Sequence, residues 1–433
     1  MEIAPVEMRT TGPEKAFLSA PLRIMRRAIK YSHLSCAIPF ARAAKYSHLA
    51  LFVMLPLLAL SQLQKSENLK VGAQRTGMYL PLLYGKNVAI VANQTSQVEG
   101  QHLVDFLLAK NINLTRVFAP EHGFRGTASA GKKVADGRDT RTGLPIVSLY
   151  GSHKKPTPQD LENVEAVIFD IQDVGARFYT YISTMTYVME ACAENDIPLI
   201  VLDRPNPNGY YVDGPVRKPG FESFVGLHPV PLVHGMTVGE YARMVNGEKW
   251  LKNGVQCELK VVPCKGYTHR TEYSLPVPPS PNLPNDEAIA LYPSLALFEG
   301  TNVSVGRGTP YPFQVVGAPW FSDSNTVFTP RDRPGAINPP YEGQECKGFD
   351  LHNYAAIYIK GLGELYLYWL QEAYRMAPDK ENFFNNYFDK LAGSDVLRRQ
   401  IKEGVSVEDI RASWQADLLA FRQTRKDYLL YRE

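Results

Sequence analysis

"EAVIFDIQD", residues 165–173, decides the fold. Ala166 to Phe169 are apolar without alternation, and the run stops at Asp170, with Gln172 and Asp173 just beyond. A strand buried on both faces reads this way, whereas a strand with one wet face alternates. The helix-like segment "YISTMTYVMEACAEND" (181–196) follows, and then a second run, "IPLIVLDRPNPNG" (197–209), ends at Asp203, Arg204 and Asn206. Upstream, "NVAIVANQTS" (87–96) ends at Asn93, "TRVFAPEHG" (115–123) at Glu121 and His122, and "LPIVSLYG" (144–151) at Tyr150. "GQHLVDFLLAKN" (100–111) is a helical connection between the first two. Apolar strands alternating with helices predict a parallel sheet covered on both faces. In such a sheet, ligands bind outside the carboxyl ends of the strands. The amino ends here are ordinary turns, whereas the carboxyl ends carry acids, amides, arginine and tyrosine. These polar clusters are therefore expected to converge on one rim.

Past residue 215 proline and glycine become dense. "HGMTVGEYARMVNGEKWL" (234–251) predicts a helix with Thr237 as N-cap and Glu240 completing a capping box. "CELKVVPCKG" (257–266) reads as a strand, and "EGTNVSVGRGTPYPFQVVGAPW" (299–320) as a glycine-rich loop entering another. In the helical tail, Ile410, Trp414, Leu418 and Phe421 form a packing stripe. A domain boundary is expected near 250, giving a catalytic domain over 62–250 and a smaller α+β domain over 251–433.

Residues 1–61 read as a leader. They hold eight Lys/Arg against three Asp/Glu, so the formal charge of +3 belongs to them. The other 39 basic residues face 41 acidic ones, which leaves no basic surplus for nucleic acid. Leu49–Leu60, "LALFVMLPLLAL", is too short to span a bilayer comfortably and suits a signal peptide. A periplasmic or secreted location is expected. Export permits disulfides, so Cys257 and Cys264 could close a loop, although buried free thiols fit equally well.

Nucleotide-binding signatures are missing: there is no G-x-G-x-x-G after the first strand and no G-x-x-x-x-G-K-[ST]. A serine hydrolase elbow, G-x-S-x-G, is missing too. His122, His153 and His234 with Asp173 lack metal-ligand spacing. Carboxylate chemistry fits best. Glycoside hydrolysis needs a general acid with an apolar surround, and Glu121 follows Pro120 with Phe124 nearby. A loop or capping carboxylate remains an equally physical reading of Glu121. Arg125, Arg177 and Arg204 near the rim suggest an anionic substrate, or else ion pairs. Tyr179 and Tyr181 offer stacking faces or hydroxyls.

The strings "APEHGFRG", "TGLPIVSLYG", "FDIQDVGARFYTYISTM", "DRPNPNG", "HGMTVGEYARM", "PPSPNLP", "FEGTNVSVGRGTPYPFQVVGAPW" and "FDKLAGSDVLRRQI" resemble the NamZ-type exo-β-N-acetylmuramidases from about residue 70 to 433. The resemblance implies a Rossmann-like α/β domain, a smaller carboxy-terminal domain and a groove between them. It implies release of terminal non-reducing N-acetylmuramic acid from peptidoglycan fragments such as MurNAc-GlcNAc. That chemistry needs no metal or organic cofactor, and no stable protein partner is expected. The family's catalytic Glu and Tyr correspond to Glu121 and Tyr150. Substrate-binding candidates are Asn93, His122, Arg125, Asp170, Gln172, Asp173, Arg177, Tyr179, Asp203, Arg204 and Asn206, with Asn302 and Arg307 from the 299–312 loop. Two alternatives stand beside this: a non-catalytic peptidoglycan-binding protein, and a metal-assisted cell-wall esterase or amidase using His122 and Asp173.

Overall fold

The protein is described by a computed structural model that covers residues 69–125, 137–355 and 359–433. The expected leader at 1–61 lies outside the described residues. Among the described residues no helix is long and apolar enough to cross a membrane.

The strands are β1 (Asn87–Ala92), β2 (Gln97–Val98), β3 (Gln101–His102), β4 (Asn113–Ala119), β5 (Gly137–Arg138), β6 (Pro145–Ser148), β7 (Ala166–Asp170), β8 (Leu199–Leu202) and β9 (Leu259–Val262). Seven of them form one sheet in the order β5-β6-β4-β1-β7-β8-β9, and β2 and β3 make a separate hairpin. Every pairing in the large sheet is parallel except β5 with β6. The chain steps outward from β1 to β4 and β6, then returns to the other side of β1 for β7, β8 and β9. This is the doubly wound order, with its switch point between β1 and β7. The sheet draws its last strand, β9, from beyond residue 250.

Val88, Ile90 and Ala92 pack with Val117, Ile168, Leu202 and Val262 against Leu103, Phe106 and Leu107 of α1 (Leu103–Ala109). Residues of the opposite parity, such as Ala89, Val91, Phe118, Val167 and Phe169, are fully buried too. Both faces are therefore covered, which is why these strands do not alternate. Helix α2 (Tyr181–Glu194) buries 11 of its 14 residues, Ser183, Thr184 and Thr186 among them. Such a helix lies inside the molecule and shows little amphipathic contrast.

Helix α3 (Val238–Gly247) carries the expected capping box: Glu240 N donates to Thr237 Oγ1 at 3.3 Å, and Thr237 N donates to Glu240 Oε2 at 2.9 Å. Asp203, at the end of β8, accepts from Thr237 Oγ1 (2.7 Å) and Gly239 N (2.8 Å), tying the strand to the helix start.

Helix α4 (Asp286–Leu295) leads into a 3-10 turn, Ala296–Gly300. Strands β10 (Val315–Ala318), β11 (Thr326–Phe328) and β12 (Cys346–Asp350) form an antiparallel sheet, and the tail is helical. Ile410, Trp414, Leu418 and Phe421 are buried as the stripe predicts, but the stripe runs over two helices, Val407–Ser413 and Gln415–Arg425, that break at Trp414.

The four described cysteines are buried and free. Cys257 and Cys264 lie at opposite ends of β9, and extended chain rises about 3.3 Å per residue, so no loop brings them together. Cys257 instead lies beside Cys192 of α2, with the thiols in hydrogen-bond contact.

Candidate active site

A cavity of about 290 Å³ opens at the carboxyl ends of β4, β6 and β7. Glu121, His122, Tyr150, Tyr179, Thr180 and Tyr181 line it from the sheet side. Ser280, Asn282, Tyr292, Glu299, Arg307 and Tyr387 close it from the carboxy-terminal side. Glu121 follows β4 after Pro120. Thr180 Oγ1 donates to its Oε2 at 3.0 Å, and the Tyr150 hydroxyl, just past β6, also bonds to its carboxylate. His122 has φ 69°, a left-handed conformation rare for a side-chain-bearing residue. That turn ends the strand sharply and leaves Glu121 at the cavity wall, with the His122 ring 3.3 Å from Ser280 Oγ.

Burial, then the Glu121 charge, push the Tyr150 phenol up to about 12. Near neutral pH it is an uncharged hydroxyl. The Tyr179 and Tyr181 hydroxyls both donate to the Pro279 carbonyl, at 2.8 and 3.4 Å, and their rings meet edge to face at 4.9 Å. The proline-rich segment 278–284 is thus pinned across the β7 loop. Arg307 Nη1 donates to Glu299 Oε1 at 2.5 Å, with about a quarter of each side chain exposed.

The rim has an inner layer that the sequence does not distinguish from the outer one. Arg204 makes a fully buried fork on Asp170, Nε to Oδ1 at 2.6 Å and Nη2 to Oδ2 at 2.8 Å. Arg177 is buried and donates to the carbonyls of Pro215, Val230 and Leu391 at 2.8 to 2.9 Å. Arg125 forks onto Asp139 and also approaches Asp105. These three guanidiniums, expected to hold an anionic substrate, are spent on the protein, and none lines the cavity. Gln172 donates to the carbonyls of Asp173 and Pro205, and Asn206 to that of Met236. Asn93 Oδ1 accepts from Thr95, and Asp203 holds the α3 start. Asn302 accepts from the Tyr341 hydroxyl through its carbonyl and is not a lining residue.

Asp173 is buried, accepts from Gly175 N at 2.6 Å and faces His234 at 3.9 Å. It does not share the cavity with His122, as a metal-assisted site would require. Of the expected residues, the cavity gathers Glu121, Tyr150, His122, Tyr179 and Arg307. It also takes in Tyr181, offered for its ring or hydroxyl, and adds Thr180, Tyr292, Glu299 and Tyr387, which sequence reasoning left out of the site. Glu299 was visible as the acid opening the glycine-rich loop, while Tyr387 carries no local signal at all.

The family description "Exo-beta-N-acetylmuramidase NamZ, N-terminal" matches residues 88–287, and its C-terminal counterpart matches 290–431. Peptidoglycan beta-N-acetylmuramidase NamZ of Bacillus subtilis is 41% identical over 381 residues, covering 82% of this chain and 89% of that one. Two crystal structures of DUF1343 family proteins from Bacteroides fragilis share the architecture. One has TM-score 0.79 and 47% identity over 85% of this chain and 100% of its own. The other has TM-score 0.71 and 31% identity over 84% and 99%. The chain belongs to the NamZ exo-β-N-acetylmuramidase family.

Proposed function

We propose that this protein is an exo-β-N-acetylmuramidase that hydrolyses terminal non-reducing N-acetylmuramic acid from peptidoglycan fragments such as MurNAc-GlcNAc, outside the cytoplasm, in cell-wall turnover or recycling. One observation carries the reading: the acid that the family motif marks, Glu121, stands in the cavity with two hydroxyls on its carboxylate. Glu121 protonates the glycosidic oxygen. The carboxylate left behind accepts from Thr180 and Tyr150. Tyr150 works as an uncharged phenol, because burial and Glu121 disfavour its anion. The cavity, about 290 Å³, sits just under the roughly 300–1,000 Å³ of drug-sized ligand pockets, a size suited to one terminal sugar rather than a chain. Arg307, paired with Glu299 but lining the cavity, replaces Arg125, Arg177 and Arg204 as the group that meets the lactyl carboxylate, the feature separating muramic acid from glucosamine.

The test is hydrolysis of a chromogenic β-N-acetylmuramide and of its glucosaminide counterpart by the purified protein. Fast release from the muramide alone supports the reading. Binding without turnover would point to a peptidoglycan-binding protein, and equal rates would remove carboxylate recognition.

A further inference from the structure

We propose that Glu299 is the second carboxylate of this reaction, the base that takes a proton from the attacking water; the assignment rests on the muramidase reading above. Glycoside hydrolysis commonly divides acid and base work between two carboxyl groups flanking the bond. Glu121 is one of them. Tyr150, an uncharged phenol near neutral pH, accepts a proton poorly. Among the described residues lining the cavity, the other carboxylate is Glu299.

Its mounting is rigid. Glu299 ends the turn that continues α4, and Gly300 lets the backbone pass Phe388 so closely that a Cβ would meet its Cα at 2.4 Å. Asn385 holds the Glu299 carbonyl at 3.3 Å. Arg307 is mounted in the same way. Gly306 and Gly308 have φ of 75° and 81°, and a Cβ on either would lie 2.7 Å from the Tyr311 carbonyl oxygen or 2.6 Å from that of Arg331. Two tight glycine turns thus aim the guanidinium at the carboxylate. A loose surface pair needs no such construction.

Both carboxylates act on one small space. After burial, the charge that most disfavours ionisation of the Tyr387 hydroxyl is Glu299, followed by Glu121. Tyr292 feels the same two. In the reaction, Glu121 gives its proton to the glycosidic oxygen as the C1–O electron pair leaves with that oxygen. The water oxygen bonds to C1, and its proton passes to Glu299. Water is the only co-reactant, and the α anomer appears first.

The test uses the full-length protein and 4-nitrophenyl β-N-acetylmuramide. Glu299→Gln keeps the volume and an oxygen facing Arg307. Its kcat falls about 100-fold or more while KM moves less than about threefold. Azide, which attacks C1 without losing a proton, restores turnover and yields the glycosyl azide. A folded variant with kcat within about threefold of wild type, a loss confined to KM, or no azide rescue overturns the assignment. So does the β anomer as first product. Should Glu299→Gln not fold, Glu299→Asp is read instead: it keeps the charge at a shorter reach, and an unchanged kcat would overturn the proposal. A wild type that releases no muramic acid sinks the muramidase reading itself, whereas an active wild type with an equally active Glu299→Gln sinks this inference alone.

Discussion

Thr180 Oγ1 donates to Glu121 Oε2 across 3.0 Å, joining the loop after β7 to the loop after β4 although the residues are 59 positions apart. The bond fixes which way the carboxyl faces. Glu121→Gln removes the proton and lowers kcat on a muramide by about 100-fold or more with little change in KM. Thr180→Val and Tyr150→Phe each remove one hydroxyl. A hydrogen bond to a charged group is worth about 1.5–3 kcal/mol, so each lowers kcat roughly 10- to 100-fold. Steady-state kinetics of the three variants checks this, and full activity in Glu121→Gln would remove that residue from the acid role.

Arg307→Lys tests carboxylate recognition. Lysine keeps a positive charge beside Glu299 but loses the planar fork that grips a carboxylate. Because Arg307 also pairs with Glu299, we expect both rates to fall, with kcat/KM for the muramide falling about tenfold further than that for the glucosaminide. Equal losses on both substrates would show that Arg307 reads no lactyl group.

Arg177→Met separates a structural arginine from a binding one. The change strands the carbonyls of Pro215, Val230 and Leu391, the last 214 positions away in the chain. Leaving a buried acceptor unsatisfied costs about 1–3 kcal/mol. Urea melts should show that loss. A variant that melts like wild type but has a raised KM would return Arg177 to the substrate.

The layout of the sheet was legible because strands buried on both faces leave unbroken apolar runs. The rim was legible because chain direction puts every carboxyl end on one edge. Which rim residues face the substrate was not legible. Arg204 and Arg307 look alike in sequence and each pairs with a carboxylate, yet one is buried on Asp170 and the other lines the cavity beside Glu299. Sequence gives the edge on which a side chain lies but not its depth. Tyr387 and Glu299 reach the cavity only because the carboxy-terminal chain folds back over the sheet, a long-range fact that no local spacing encodes. The Cys257–Cys264 loop failed for a simpler reason: the residues between them are extended.

Asp173 predicts a pH dependence of stability. Burial, opposed by the Gly175 and Val174 amides, pushes its folded-state pKa up to about 7, against about 3.9 in the unfolded chain. Below about pH 4 both states hold the proton and the folded state is not penalised. As pH rises toward 7 the unfolded carboxyl ionises freely while the folded one resists, so stability is lost across that window and then levels. Asp203, pushed up to about 6, acts in the same direction. His234 and His228, which burial lowers to about 3, act oppositely: they stay neutral in the fold while the unfolded histidines take up protons below about 6.5. The whole-protein profile is therefore a partial cancellation, and the informative quantity is a difference. Asp173→Asn keeps an acceptor for the Gly175 amide and removes the titration. The stability of Asp173→Asn minus that of wild type should grow between pH 4.5 and 8 by on the order of a few kcal/mol. Denaturant melts at the two pH values measure it. A difference that stays flat, or shrinks as pH rises, would mean that Asp173 is already ionised in the folded protein at low pH and that the groups around it compensate its charge.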